Sequence, residues 1–184
     1  MTETHRFSFM ETSAHSPVLN MLIEGAIHGP AIHLRPFKPG DEPAFRSLNE
    51  AWIAKYFVIE TADRVVLENP VENILAPGGH IFMALIDDLP VGCCALLPMG
   101  PKEFELAKMA VLESERGRGI GRKVLEYAIT QAKKLGAERL YLETNRKLAN
   151  AIHLYESVGF QPVSPDQVIP SPYARANVFM EMVL

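Results

Sequence analysis

Val111–Arg122 reads Val-Leu-Glu-Ser-Glu-Arg-Gly-Arg-Gly-Ile-Gly-Arg, and its three alternate glycines decide the fold. The residues before it, Phe104–Leu112, form an apolar run of strand character. Those after it place Ile120, Val124, Ala128, Ile129, Ala132 and Leu135 on one helical face, and Gly136 stops the helix. A loop between a strand and a helix aims several unpaired backbone N–H groups at one point, where the helix dipole adds partial positive charge. Glycines matter there because a Cβ would keep a phosphate oxygen away from the backbone. Arg116, Arg118 and Arg122 add formal charge. The physical expectation is a pyrophosphate cradle.

Working outward, the punctuation is regular. Ala31–Pro36 reads as a short strand, and Pro39-Gly40-Asp41 opens a helix with Asp41 as N-cap and Phe45, Leu48 and Trp52 on its apolar face. A second helix covers Ala62–Glu68, and Pro77-Gly78-Gly79 is a turn. His80–Ile86 and Val91–Leu97 are apolar runs joined by Asp87-Asp88-Leu89-Pro90, a hairpin signal. Arg139–Glu143 is a strand, and a helix from Leu148 to Ser157 ends at Gly159. Phe160–Val163 and Ala176–Val183 are the last strands, separated by a loop holding Pro165, Pro170 and Pro172. The order β-α-α-β-β-β-α-β-α-β-β is that of a mixed α/β sheet. Residues 1–30 look like an N-terminal extension, with a short helix over Val18–Ile27, ahead of a single domain over 31–184.

Composition narrows the partners. The chain has 184 residues, 48% hydrophobic and 22% charged, which suits one soluble domain at roughly 100–200 residues per domain. No run of about 18 apolar residues predicts a membrane-spanning helix. The first residues lack the basic start and apolar core of an export signal, so a cytoplasmic protein is expected. The only cysteines, Cys93 and Cys94, are neighbours in a strand and read as small core residues. The six histidines lack metal spacing, so no metal is expected. Net charge is −4, unevenly spread: residues 1–100 carry 6 basic and 12 acidic side chains, and Arg116–Lys147 carries 9 and 3. A positive patch in an acidic chain suits a small anion better than nucleic acid.

Three phosphate-binding patterns compete for the loop. A P-loop needs Lys then Ser/Thr after its last glycine, but Arg122 and Lys123 follow Gly121. A dinucleotide fingerprint needs G-x-G-x-x-G, whereas Gly117, Gly119 and Gly121 give G-x-G-x-G. The third, Arg/Gln-x-x-Gly-x-Gly/Ala, is met by Arg116-x-x-Gly119-x-Gly121. Downstream, Ala151-Ile152-His153-Leu154-Tyr155-Glu156-Ser157-Val158-Gly159-Phe160 fits A-I-x-L-Y-x-x-x-G-F. With both elements in this order, the chain resembles the GNAT family of acetyl-CoA-dependent N-acetyltransferases from about Ile32 to Leu184.

The resemblance implies a mixed, mostly antiparallel central sheet flanked by helices, and acetyl transfer from acetyl-CoA to a primary amine of a small molecule or peptide. A non-catalytic acyl-CoA sensor or docking module on the same fold is the rival it leaves open. It implies that the pantetheine arm lies along Met109, Ala110 and Val111. The pyrophosphate would rest on the amides of Arg116, Gly117, Arg118, Gly119, Ile120, Gly121 and Arg122. Tyr155 is the implied general acid: a phenol of pKa about 10 stays protonated at pH 7 and can donate to a thiolate of pKa about 8.5. Glu105 is the implied base, and period-2 alternation places it on one strand face with Ala107, Met109 and Val111. Leu148 stands where family members often carry a cofactor-touching asparagine, with Asn145 and Asn150 as substitutes. Arg175 and Asn177, sharing a face of the last strand beside Tyr173, are candidates for the acceptor, Arg175 as a clamp for a carboxylate. A homodimer is among the assemblies the resemblance implies.

Overall fold

The computed structural model describes residues 31–184. The expected extension 1–30, with its helix over Val18–Ile27, lies outside the described residues. The elements are β1 (Ile32–Pro36), α1 (Glu42–Tyr56), α2 (Thr61–Glu68), a π-helical turn (Val71–Leu75), β2 (His80–Ile86), β3 (Leu89–Gly100) and β4 (Glu103–Val111). They continue with α3 (Ile120–Lys134), β5 (Arg139–Thr144), α4 (Ala149–Val158), β6 (Gln161–Pro162) and β7 (Val178–Val183). The strands form one sheet in the order β1-β2-β3-β4-β5-β7-β6. Every pairing is antiparallel except β4 with β5. The mixed, mostly antiparallel α/β sheet expected from the sequence is thus present.

Helices cover both faces, so the central strands are apolar on both sides. Successive residues of β3 divide between two cores by strand alternation. Cys94 and Leu96 pack with Val124, Leu125 and Ala128 of α3, and Cys93 and Ala95 pack with Phe45, Leu48 and Ile53 of α1. The stripe expected on α3 shifts slightly: Leu125 is buried, while Leu135 is exposed at the helix end.

Three local details differ from the sequence expectation. The β2–β3 link is two residues, not four: Asp87 and Asp88 both have positive φ, +48° and +62°, and Leu89 already pairs with Ile86. Consecutive left-handed residues suit the strand twist of a tight hairpin. Pro90 enters the strand where the register shifts between Ala84 and Leu85, so its missing N–H falls at an irregular point of the ladder. Asp41 stands at the start of α1, but its carboxylate does not cap it. It turns back to Arg35 (2.6 and 2.9 Å) and the Lys38 amide (2.7 Å), and the Arg35 hydrogen bond holds its pKa below the usual range. β7 begins at Val178 rather than Ala176, which leaves Arg175 and Asn177 in the turn before it.

Gly79 is a close-approach glycine between the π-helical turn and the sheet. A Cβ there would lie 2.5 Å from the Ile74 carbonyl oxygen and 2.7 Å from that of Leu96. Both are backbone atoms, so one element must move. Gly79→Ala is expected to destabilise the fold by about 1–3 kcal/mol, as overpacking does, read as a lowered midpoint in urea or heat. An unchanged midpoint would show that this contact is loose.

Candidate active site

β4 is paired along its length with β3, but with β5 only where Glu103–Glu105 face Arg139–Tyr141. Beyond Glu105 the two strands part, and among the described residues the far edge of β4 has no neighbouring strand. In the same stretch Lys108 has φ +50°, and the β3–β4 register skips between Cys93↔Ala110 and Ala95↔Ala107. Two residues of β4 therefore stand opposite Cys94, which is a β-bulge.

The bulge corrects the expected alternation. Glu105 does not share a face with Met109 and Val111. Glu105 pairs with Leu97 and Ala107 with Ala95, on the face covered by α1, while Met109 and Val111 pack on the α3 side. Lys108, for which alternation suggests the face opposite Glu105, is turned to its side instead. The extra residue inverts the parity of everything after it.

The parted strands open a groove of about 590 Å³. Its walls include Met109, Ala110 and Val111 on one side and Leu148, Asn150 and Tyr155 on the other. Arg116, Gly117, Gly119, Ile120, Gly121 and Arg122 close its end. Gly117 and Gly119 have φ of +78° and +76°, left-handed values that favour glycine, and no heavy atom lies within 4 Å of where a Cβ would be built on either. The first helical bond of α3 runs from the Lys123 N–H to the Gly119 carbonyl, so the amides of Ile120, Gly121 and Arg122 have no intrahelical partner. This is an open, amide-lined end with Arg116 and Arg122 in its wall, and it fits a pyrophosphate; Arg118, expected there, is not among the lining residues. Arg116 donates to the Tyr56 hydroxyl (3.0 Å), Arg122 to the Ser157 hydroxyl (2.8 Å), and Arg118 pairs with Glu115. Of the two substitute asparagines, Asn145 is committed elsewhere. Its amide donates to the Arg175 carbonyl (2.5 Å) and its oxygen accepts from the Lys147 N–H (2.8 Å). Asn150 is exposed and lines the groove.

A second cavity, about 90 Å³, adjoins the groove, and Tyr155 lines both. Trp52 and Phe57 supply apolar wall; Glu105, Lys108, Glu143, Tyr173 and Arg175 supply polar groups. Burial pushes the Glu105 carboxyl up to about 7; the charge of Glu143 adds to this and Lys108 opposes it. Burial also raises Glu143, tempered by a hydrogen bond from the Ser171 hydroxyl. The Tyr155 phenol is pushed upward, mainly by burial, and its ring packs edge-on against Phe160 at 6.0 Å.

Behind the cavity lies a buried ionic network. Asp63, with a fully buried side chain, accepts from Arg175 at 2.6 and 2.8 Å and from Lys108 at 3.1 Å. Arg175 also donates to Glu60 (2.9 Å), and Lys108 donates to the Tyr173 hydroxyl (2.7 Å). Burial pushes Asp63 up, but hydrogen bonding to Arg175 and the charge and hydrogen bond of Lys108 outweigh it and hold its pKa below the usual range. The structure brings Tyr173 and Arg175 to this cavity but ties both into the network. Asn177 stays outside it, its side-chain oxygen accepting the Arg146 N–H (2.9 Å). Lys108, Asp63, Glu60 and Glu143 were missed in the sequence. Only Glu143 left a signal: alternation in Arg139–Glu143 puts it on one face with Tyr141, the partner of Glu105.

Residues 40–160 match the model of the acetyltransferase (GNAT) family, and the chain belongs to that family. A relative from Escherichia coli (strain K12), described as the uncharacterized N-acetyltransferase YjgM, is 36% identical over 90 residues. That stretch is 47% of this chain and 54% of the relative, so the chain spans about half the length of that protein. Among solved structures, a GNAT-family acetyltransferase from Staphylococcus aureus Mu50 superposes with a TM-score of 0.75 at 23% identity, over 83% of this chain and 99% of that one. The putative acetyltransferase yncA of Salmonella typhimurium, solved with acetyl-CoA, gives a TM-score of 0.66 at 19% identity, over 83% and 94%. Both share the fold.

Asp63→Ala strands the buried Lys108 ammonium and leaves Arg175 with Glu60 alone. Removing one partner of a buried pair costs about 3–5 kcal/mol, and that loss is expected in chemical unfolding. A loss under about 1 kcal/mol, the size of a surface pair, would mean that the network is solvated.

Proposed function

We propose that this protein transfers an acetyl group from acetyl-CoA to a primary amine held in the 90 Å³ cavity. One observation carries the proposal. The parting of β4 from β5 makes a groove that ends on free helix amides and meets, at Tyr155, a small cavity holding a carboxylate poised near pH 7. The acetyl-CoA seen in the Salmonella relative of the same fold supports the choice of cosubstrate. Acetyl-CoA supplies an activated acyl carbon and a thiol leaving group.

In this account the free edge of β4 at Met109–Val111 pairs with the amides of the pantetheine arm, as an added strand would. The amides from Gly117 to Arg122 hold the pyrophosphate. Glu105, directly or through water, takes the proton of the acceptor nitrogen. That nitrogen forms the new C–N bond as the C–S bond breaks. Tyr155 donates its hydroxyl proton to the departing sulfur. One amine proton is thus lost and one thiol proton gained, with no change of oxidation state; the proton on Glu105 passes to solvent and Tyr155 takes one back, which restores both groups. Neither cysteine is suited to carry the acetyl group, since burial pushes Cys93 up to about 12 and Cys94 higher still.

Two outcomes test these roles. Tyr155→Phe is expected to retain acetyl-CoA affinity and to lose about 10²–10⁴-fold in kcat, the usual share of a general acid. Unchanged turnover would remove Tyr155 from the chemistry. The base must be unprotonated, so kcat/KM should rise with pH and inflect near 7. In Glu105→Gln that inflection should vanish along with most of the rate. An inflection that survives the substitution belongs to another group.

A further inference from the structure

The charge in the acceptor cavity is unbalanced in a way that selects a substrate, an argument that rests on the transferase function just proposed. Among the described residues lining the cavity, the cations are Lys108 and Arg175. Both are hydrogen-bonded to Asp63, and Arg175 to Glu60 as well. An arginine already gripped by two carboxylates is a poor clamp for a third. The expected capture of a substrate carboxylate by Arg175 therefore has no geometric support here.

The carboxylates are in the opposite position. Glu105 and Glu143 both line the cavity, and neither is in an ion pair among the described residues. Glu105 stands across from Tyr141 in the parallel pair, so Glu143 lies two residues further along β5 on the same face. Strand spacing and rise put the two positions roughly 8 Å apart, more where the strands part. The negative charge of Glu143 adds to burial in making the Glu105 charge harder to form. Counting Asp63 and Glu60 behind them, four carboxylates face two cations. Trp52, Phe57 and Leu106 provide apolar wall between the charged ends.

We propose that the acceptor is a small aliphatic diamine or similar dication without a carboxylate, its reacting nitrogen beside Glu105 and its second cationic group held by Glu143. The second nitrogen pairs directly with a carboxylate that, among the described residues, feels Arg175 and Lys108 only at a distance and is in no ion pair of its own. The methylene spacer lies against the aromatic wall. The small cavity, about 90 Å³, suits a short chain.

The test uses the full chain with saturating acetyl-CoA and follows thiol release. The probes are putrescine, n-butylamine and γ-aminobutyrate, which share a spacer but end in a cation, a methyl group and an anion, together with a peptide bearing a free N-terminus. The expected order of kcat/KM is putrescine first, by about tenfold or more over butylamine, with γ-aminobutyrate last. In Glu143→Gln the putrescine-to-butylamine ratio should collapse toward one, and in Glu143→Asp it should persist. Calorimetric binding of acetyl-CoA by both variants confirms that they are folded. Preference for γ-aminobutyrate, turnover confined to the peptide, or a ratio untouched by Glu143→Gln overturns the diamine assignment and leaves acetyl transfer standing. No thiol release with any of the four amines, acetyl-CoA binding intact, overturns both.

Discussion

The whole site depends on β4 belonging to two sheets' worth of geometry at once. Up to Glu105 it is an interior strand, paired on both sides; beyond Glu105 it is, among the described residues, an edge paired with β3 alone. Unpaired strand edges attract other chains, and proteins normally cover or disrupt them. Here the edge is sheltered in a groove between α3 and α4, where an extended ligand with its own amides can complete it. The bulge at Lys108 falls inside the same stretch and turns the Lys108 side chain toward the acceptor cavity. The groove and the cavity proposed for cofactor and acceptor are thus two consequences of one departure from regular pairing.

The polar residues around the cavity make one system. Asp63 accepts the Glu60 N–H at the start of α2 while gripping Lys108 and Arg175, so α2, β4 and the turn before β7 are joined at a single buried carboxylate. Such a network does little for net stability, because desolvation offsets attraction. Its effect is on the charges it withdraws. With Lys108 and Arg175 bound to Asp63, Glu105 and Glu143 are the cavity-lining carboxylates in no ion pair among the described residues. Tyr173, whose ring lies 4.4 Å from the Lys108 ammonium and 4.5 Å from the Arg175 guanidinium, seats both cations.

Much of this was legible in the sequence, for physical reasons. The glycines at 117, 119 and 121 announced an open helix N-terminus, because spaced glycines before an amphipathic helix have few other uses. The strands and helices followed from hydrophobic periodicity. Periodicity, however, assumes a regular backbone. It could not register the positive φ at Lys108, so it placed Glu105 beside Met109 when the bulge separates them. It also began the last strand at Ala176, two residues before the observed start at Val178, and so placed Arg175 and Asn177 on a strand face. The pairing of Arg175 with Asp63, 112 residues away, has no local signature at all. Long-range charge pairing is decided by the fold and is invisible before it.

The central claim is that the amides between Gly117 and Arg122 and the free edge of β4 form a seat for the pyrophosphate and pantetheine of CoA. Calorimetric titration of the full chain with acetyl-CoA, CoA and ATP tests it most directly. The account predicts acetyl-CoA and CoA binding on the order of micromolar or tighter, with ATP far weaker because it lacks the arm that completes β4. Failure to bind acetyl-CoA or CoA, or ATP binding as tightly as either, would contradict it.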